Sequence, residues 1–195
     1  MLATVYSATL SGLDGRVVRV EVDVAPGLPG FTIVGLPDAA LQEARERVRG
    51  AIRNSGFEYP PRRITVNLAP ADVPKQGASL DLPIALGVLL GSEQVRASGR
   101  WALIGELSLS GDLRGLPGVL PMIAALAARG IRRVVVPAAA ESEAALMDSV
   151  ELVAAATLRE AADALRGRRV RSRALPRSLD LAPLDPRAPS VGARL

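Results

Sequence analysis

Residues 62–90 read RRITVNLAPADVPKQGASLDLPIALGVLL, a strand, a Gly/Pro loop and a helix in immediate succession. RRITVNL has the β-branched, alternating character of a strand. PADVPKQGAS breaks it. From about Leu80 to Leu90 the chain is almost wholly apolar, which predicts a helix buried on several sides. A loop of this kind can present backbone N–H groups at a helix N-terminus, an arrangement suited to an oxyanion or a phosphate.

Upstream, RVVRVEVDV (16–24) sets Val18, Val20, Val22 and Val24 against Arg19, Glu21 and Asp23. That is a half-buried strand in a sheet with one wet face. VYSATL, joined to it through Gly12-Leu13-Asp14-Gly15, reads as its hairpin partner. Pro26, Gly27, Pro29 and Gly30 interrupt, and FTIVG (31–35) makes a third strand. A helix is expected from Pro37-Asp38, with Leu41, Ala44, Val48, Ala51 and Ile52 as its buried stripe and Asn54-Ser55-Gly56 as its stop.

Downstream, 101–107 and 108–113 are strand-like, and 117–129 is a helix closed by Gly130. A strand (131–137), an Ala/Glu helix (138–147), a strand (150–153) and a helix (158–165) follow. The whole is an α/β, two-layer α+β arrangement, with one domain over residues 1–165. Residues 166–195 are of another character. They hold eight arginines, two aspartates and four prolines, an excess of +6 that leaves residues 1–165 at −2 within the chain total of +4. This stretch reads as a linker or arm.

Composition excludes several chemistries. The 195 residues include no cysteine and no histidine, so thiolate and imidazole catalysis, disulfides and N/S zinc sites are ruled out. The only lysine is Lys75, followed by Gln76, so there is no phosphate-binding loop ending in Gly-Lys-Ser/Thr. No metal ligand set is expected. At 49% hydrophobic and 3% aromatic, the core must be built from Val, Leu, Ile and Ala. The N-terminus lacks the layout of a secretory signal and no apolar run is long enough to span a bilayer, so a cytoplasmic protein without membrane contact is expected.

Two groups of residues are candidates for function on these grounds. Ser79 is placed to cap the helix starting at Leu80, a structural role weighed above a chemical one. Arg45, Arg47, Arg49 and Arg53 would offer a cationic helix face, but Glu43 lies four residues before Arg47, the spacing of a solvated ion-paired helix. Arg166, Arg168, Arg169, Arg171 and Arg173 are better placed for phosphate contact. With no aromatic side chains among them, DNA binding through them would be non-specific and salt-sensitive.

PKQGAS resembles the P-K-D-G-P-S segment of the Lon peptidase domain, whose serine is the nucleophile, and the match continues through GELSLSGDLRG and AARGIRRVVVP. On that likeness Ser79 takes the nucleophile position. The lysine base of that family falls on Met122, a thioether that accepts no proton, and Lys75 lies in the loop instead. A degenerate serine peptidase using Ser79 with Lys75 is therefore an alternative reading.

A longer likeness covers about residues 5–160. GLPGFTIVGLPD, ERVRGAI, RITVNLAPAD, KQGASLDLPIA and GELSLSGDLRG occur in order and resemble the N-terminal region of the ComM/YifB family, magnesium-chelatase (ChlI)-like AAA ATPases. The resemblance implies a fold shared by the Lon peptidase domain and a small-subunit ribosomal protein domain. That fold has a mixed sheet with helices on one side and a left-handed β-α-β crossover. Asp72, Lys75, Gly77, Ser79 and Asp81 occupy the family's loop motif. It further implies hexameric, DNA-processing motors of the branch-migration type, linked to natural transformation, in which this region precedes the ATPase module. Here SLDLAPLDP resembles the approach to that module and the chain ends at Leu195. The expectation is a non-catalytic accessory domain, needing ATP and Mg only if a missing module exists. It would be a truncated or frame-shifted product, a fragment or a stand-alone copy. Its partners would be DNA and an ATPase-bearing homologue with which it assembles. A stand-alone DNA-binding module acting through the arginine tail is the remaining alternative.

Overall fold

The hairpin forms where the alternation places it. In a computed structural model describing residues 1–35, 38–71 and 78–168, β1 (Leu2–Ser11) and β2 (Asp14–Ala25) pair antiparallel from Leu2↔Asp23 to Ser11↔Asp14. Gly12 turns the chain at φ +64, a left-handed conformation that glycine adopts without steric cost. Val18, Val20, Val22 and Val24 are all buried on one face. On the other, Arg19 and Glu21 form an ion pair at 3.1 Å.

The sheet grows outward from this hairpin. β4 (Arg63–Ala69) pairs antiparallel with β2, and β3 (Gly30–Val34) lies parallel to β4 at the edge. Beyond β1 come β5 (Trp101–Leu103), β8 (Arg133–Pro137) and β9 (Glu151–Ala155), all parallel. The order is β3-β4-β2-β1-β5-β8-β9. Between β5 and β8 the chain makes a small antiparallel ribbon, β6 (Glu106–Leu107) with β7 (Leu113–Arg114). The two strands expected over 101–113 are thus shorter and separated at Ile104-Gly105, because Leu82 N–H takes the Gly105 carbonyl at 3.1 Å and draws the chain out of the sheet.

The helices are α1 (Ala39–Gln42), α2 (Ala44–Asn54), α3 (Asp81–Gly91), α4 (Val119–Ala128), α5 (Glu141–Ala144) and α6 (Leu158–Leu165). The single helix expected after Pro37 is divided at Glu43. Asp38 Oδ1 accepts from Leu41 N–H at 2.8 Å and so caps its first turn. Helix α6 begins with the Thr157 hydroxyl accepting from Glu160 N–H.

This is the mixed α/β class that the sequence implies, with four parallel ladders and two antiparallel ones in the main sheet. Its helices, however, cover both faces. α2, α3 and α6 bury Val48, Ile52, Leu82, Leu86 and Leu165 with Val5, Val20, Val22 and Leu103. α4 and α5 bury Met122, Ile123, Leu126 and Ala144 with Ala8, Ala102, Ile104, Val134 and Val136. The reason lies in β5 and β8, where consecutive residues are apolar, so each strand needs cover on both sides.

Contact between α3 and β2 is close enough to require a glycine. A Cβ on Gly87 would stand 2.4 Å from Val22 Cγ2. Gly87→Ala is expected to destabilise the protein by about 1–2 kcal/mol net, overpacking outweighing the gain in helix propensity. Urea denaturation would measure it.

Candidate functional site

Arg47 on α2 and Asp81 on α3 meet two residues after Ser79 in the chain. Ala78–Leu80 form one turn of 3₁₀ helix leading into α3. Its backbone is tied to the end of β5, Gly105 N–H donating to the Ser79 carbonyl at 3.3 Å. That tie displaces the expected cap. The N-cap position of α3 is Leu80, no side chain caps it, and Ser79 lies one residue too early. The Ser79 hydroxyl is instead buried, without a hydrogen-bond partner among the described residues.

Asp81 is wholly buried at the first turn of an otherwise apolar helix. A carboxylate there must be paired. Arg47, on α2, meets it with a two-pronged fork, Nε to Oδ2 at 2.7 Å and Nη2 to Oδ1 at 3.1 Å. Leu107 N–H donates to Oδ2 at 3.4 Å. Burial pushes the Asp81 carboxyl up to about 6, outweighing the lowering by Arg47 and by the Leu107 amide, with Glu106 adding to the rise. Arg47 is itself held above its ordinary value, chiefly by its hydrogen bond to Asp81.

The solvated-helix reading of Arg47 is therefore corrected. Its contact with Glu43 exists at 3.8 Å, but the side chain is only 21% exposed and its short bonds run inward to Asp81. The planar guanidinium matches a carboxylate with both oxygens available. Arg45 does face solvent, beside Glu46 at 3.6 Å, and Arg49 lies over the Tyr59 ring at 5.9 Å.

The Asp81 shift fixes a pH dependence. Its native value near 6 lies above its ordinary 3.8, so the native state holds this proton more tightly than the unfolded chain. The resulting stability is complete below about pH 4 and is lost as pH rises through 6. The wild type minus Asp81→Asn difference in unfolding free energy should therefore fall over that window, by at most about 1.4 kcal/mol per pH unit. Denaturant midpoints at pH 4, 5, 6 and 7 would check it.

The model of the family described as subunit ChlI of Mg-chelatase matches residues 20–140, a stretch containing Arg47, Ser79 and Asp81. The chain belongs to this ChlI family. It is 44% identical over 168 residues to the competence protein ComM of Haemophilus influenzae, covering 85% of this chain and 33% of ComM. To the YifB protein of Escherichia coli it is 42% identical over 177 residues, 90% of this chain and 35% of YifB. The chain spans about a third of the length of these relatives. A weaker likeness, 28% over 121 residues, reaches Lon protease 2 of Bacillus subtilis, covering 60% of this chain and 21% of that protein.

The ChlI-family loop motif is only partly within view. Asp72, Lys75 and Gly77 lie outside the described residues, as do Arg169, Arg171 and Arg173 of the tail. Ser79 and Asp81 are close in the chain, but Asp81 serves Arg47 and Leu107. Met122, which the Lon resemblance would set at the base position, is packed on α4 among Ala8, Ala102 and Ile104. Two of the tail arginines expected to contact phosphate are already engaged within the domain. Arg166 bonds Asp163 at 3.1 Å and the Gln94 carbonyl at 2.7 Å, and Arg168 bonds Asp163 at 3.2 Å.

Lys75 precedes Gln76 where a phosphate-binding loop would need a hydroxyl residue, and among the described residues no group of three acidic side chains gathers. No helix among the described residues is long and apolar enough to cross a membrane. Sequence reasoning placed Ser79 and Asp81 together but missed Arg47 as the partner of Asp81. The available signal was Asp81 itself, an acid in an apolar helix, which demands a cation without saying which.

Proposed function

We propose that this chain acts as a non-catalytic accessory domain of a ComM/YifB-type assembly in the cytoplasm. It would contribute to self-association with ATPase-bearing homologues, or to their grip on DNA, in branch-migration-type processing linked to natural transformation. The observation that carries this reading is the ChlI-family match across residues 20–140, together with 44% identity to a competence protein. The chemistry of the site supports it. Asp81 and Arg47 neutralise one another in a structural joint, and Met122, set at the base position by the Lon resemblance, is a thioether that accepts no proton.

The purified chain is expected to hydrolyse no ATP above background and to co-elute with a full-length ComM-type homologue on size-exclusion chromatography. ATP turnover that follows the monomer peak would reject the reading. So would elution of the two proteins as separate species at every ratio tested.

A second reading rests on the buried, unpartnered Ser79 hydroxyl and the Lon likeness. Here Ser79 is acylated with Lys75 as base. Labelling by a serine-reactive phosphonate that disappears in Ser79→Ala would establish it, and absence of labelling would remove it. A third reading assigns non-specific DNA binding to the tail. Since Arg166 and Arg168 are engaged with Asp163, the contacts fall to Arg169, Arg171 and Arg173. Replacing these three with serine should reduce the log–log salt dependence of DNA affinity by about 2–3. An unchanged slope counts against the tail.

A further inference from the structure

Helix α2 carries Arg45, Arg49 and Arg53 at four-residue intervals, one ridge with cations about 6 Å apart along the axis. The opposite face of the helix is buried through Val48, Ala51 and Ile52. What stands beside the ridge sets it apart from a solvated, ion-paired face. Arg49 lies over the Tyr59 ring, and among the described residues neither Arg49 nor Arg53 has a carboxylate partner. Arg45 meets Glu46 at 3.6 Å, but both side chains are more than half exposed, so the pair yields readily to a stronger anion. Burial pushes the Tyr59 hydroxyl above its ordinary value, and Arg45, Arg49 and Arg53 all draw it back against Glu46. The three cations thus share the neighbourhood of one ring.

The strip continues at both ends. Past Arg53, the Phe57 ring lies beneath two more guanidinium groups, Arg159 at 5.0 Å and Arg166 at 5.8 Å. Arg159 is fixed there by the Ser55 carbonyl, and Arg166 by Asp163 and the Gln94 carbonyl. The segment bearing both rings is itself clamped. The Gln94 side-chain oxygen accepts from Glu58 N–H at 2.9 Å, and its nitrogen donates to the Glu58 carbonyl at 2.7 Å. Cations held in this way lose little freedom when an anion arrives. At the other end, Arg45 borders a depression of about 240 Å³ beside β3, lined also by Phe31, Thr32, Ile33 and Gln42. Its walls are apolar, and its polar groups are a hydroxyl, an amide that both donates and accepts, and a guanidinium.

Evenly spaced cations suit the repeating phosphates of a nucleic-acid backbone, and an apolar pocket with a few hydrogen-bonding groups suits an unstacked base. In a duplex the bases are paired and stacked, out of reach of such a pocket. We propose that the Arg45–Arg49–Arg53 ridge tracks the backbone of single-stranded DNA, with Arg159 extending the track over Phe57, and that the depression beside β3 receives one base. This rests on the DNA-contact part of the accessory-domain reading and gives that contact a place apart from the tail.

Fluorescence anisotropy of the whole chain tests it, with a labelled oligothymidylate, an abasic strand of equal phosphate count, and DNA duplex and RNA of equal length. The DNA strand should bind at least about tenfold more tightly than the duplex, and at least about fivefold more tightly than the abasic strand, the worth of one stacked base. Arg49→Ser/Arg53→Ser should weaken single-strand binding roughly tenfold at low salt and reduce the log–log salt dependence by about 1.4, as two lost phosphate contacts require. Arg49→Lys/Arg53→Lys should keep the wild-type slope. Gln42→Ala should lower the preference over the abasic strand and leave the slope unchanged. Arg19→Ser/Arg132→Ser, which removes the same charge from exposed positions elsewhere, should alter neither. Equal losses in the two serine pairs overturn the inference, as does duplex or RNA bound as tightly as the DNA strand. An abasic strand bound as tightly as oligothymidylate removes the base pocket. Absence of any binding by the wild type at low salt overturns the inference together with the DNA contact it rests on. Co-elution with the ATPase-bearing homologue, measured separately, then decides whether the accessory-domain reading survives.

Discussion

Arg47→Met is expected to destabilise the protein by about 3–5 kcal/mol, because it leaves the Asp81 carboxylate buried without its counter-charge. Little of that cost comes from the lost attraction itself. An ion pair of this kind roughly offsets its own desolvation, so the penalty arises from stranding one partner. The double variant Arg47→Met/Asp81→Leu should consequently recover most of the loss and lie within about 1–2 kcal/mol of the wild type. Four urea curves, for the wild type, Arg47→Met, Asp81→Leu and the double variant, close the cycle. Additive single effects would mean that the two side chains act independently, contrary to their 2.7 Å bond.

Leu82→Ala is the second large effect. Leu82 is fully buried one residue after Asp81, its Cδ2 lies 3.4 Å from where a Gly105 Cβ would stand, and its own N–H holds the Gly105 carbonyl. Truncation should cost about 2–5 kcal/mol, from lost transfer energy and the cavity that remains. For a chain of this size that is a fall in Tm of roughly 5–15 °C, readable by calorimetry. Because Gly105 also holds the Ser79 carbonyl, amide exchange at Gly105 and Leu82 should accelerate in the same variant. A loss of Tm without faster exchange there would show that the cavity collapses without loosening the 3₁₀ turn.

The hairpin was legible because it needs only local information. Valines at every second position, with charges between, allow one register once one face is buried. The α/β class followed from the same periodicities. Helix placement did not, since consecutive apolar residues in β5 and β8 announce burial on both faces without saying which element supplies it. The site divided along similar lines. Asp81 entered only through the family loop motif; its local signal is an acid among apolar neighbours, and its partner is 34 residues away in sequence with a plausible neighbour of its own in Glu43. Ser79 was assigned the capping role its residue type prefers, and a tertiary bond from Gly105 displaced it.

The sheet order carries a consequence for synthesis on the ribosome. β1 and β2 pair as neighbours in the chain, β4 and β3 complete one wing by residue 69, and β5, β8 and β9 then join in sequence order on the other side. Every strand of the second wing thus docks on an edge made before it emerges. The first wing, by contrast, must wait with the outer edge of β1 bare until about a hundred residues have been translated. An open edge held that long invites pairing between nascent chains. Slow translation or stalling ahead of Trp101 is therefore where this molecule is most exposed to aggregation.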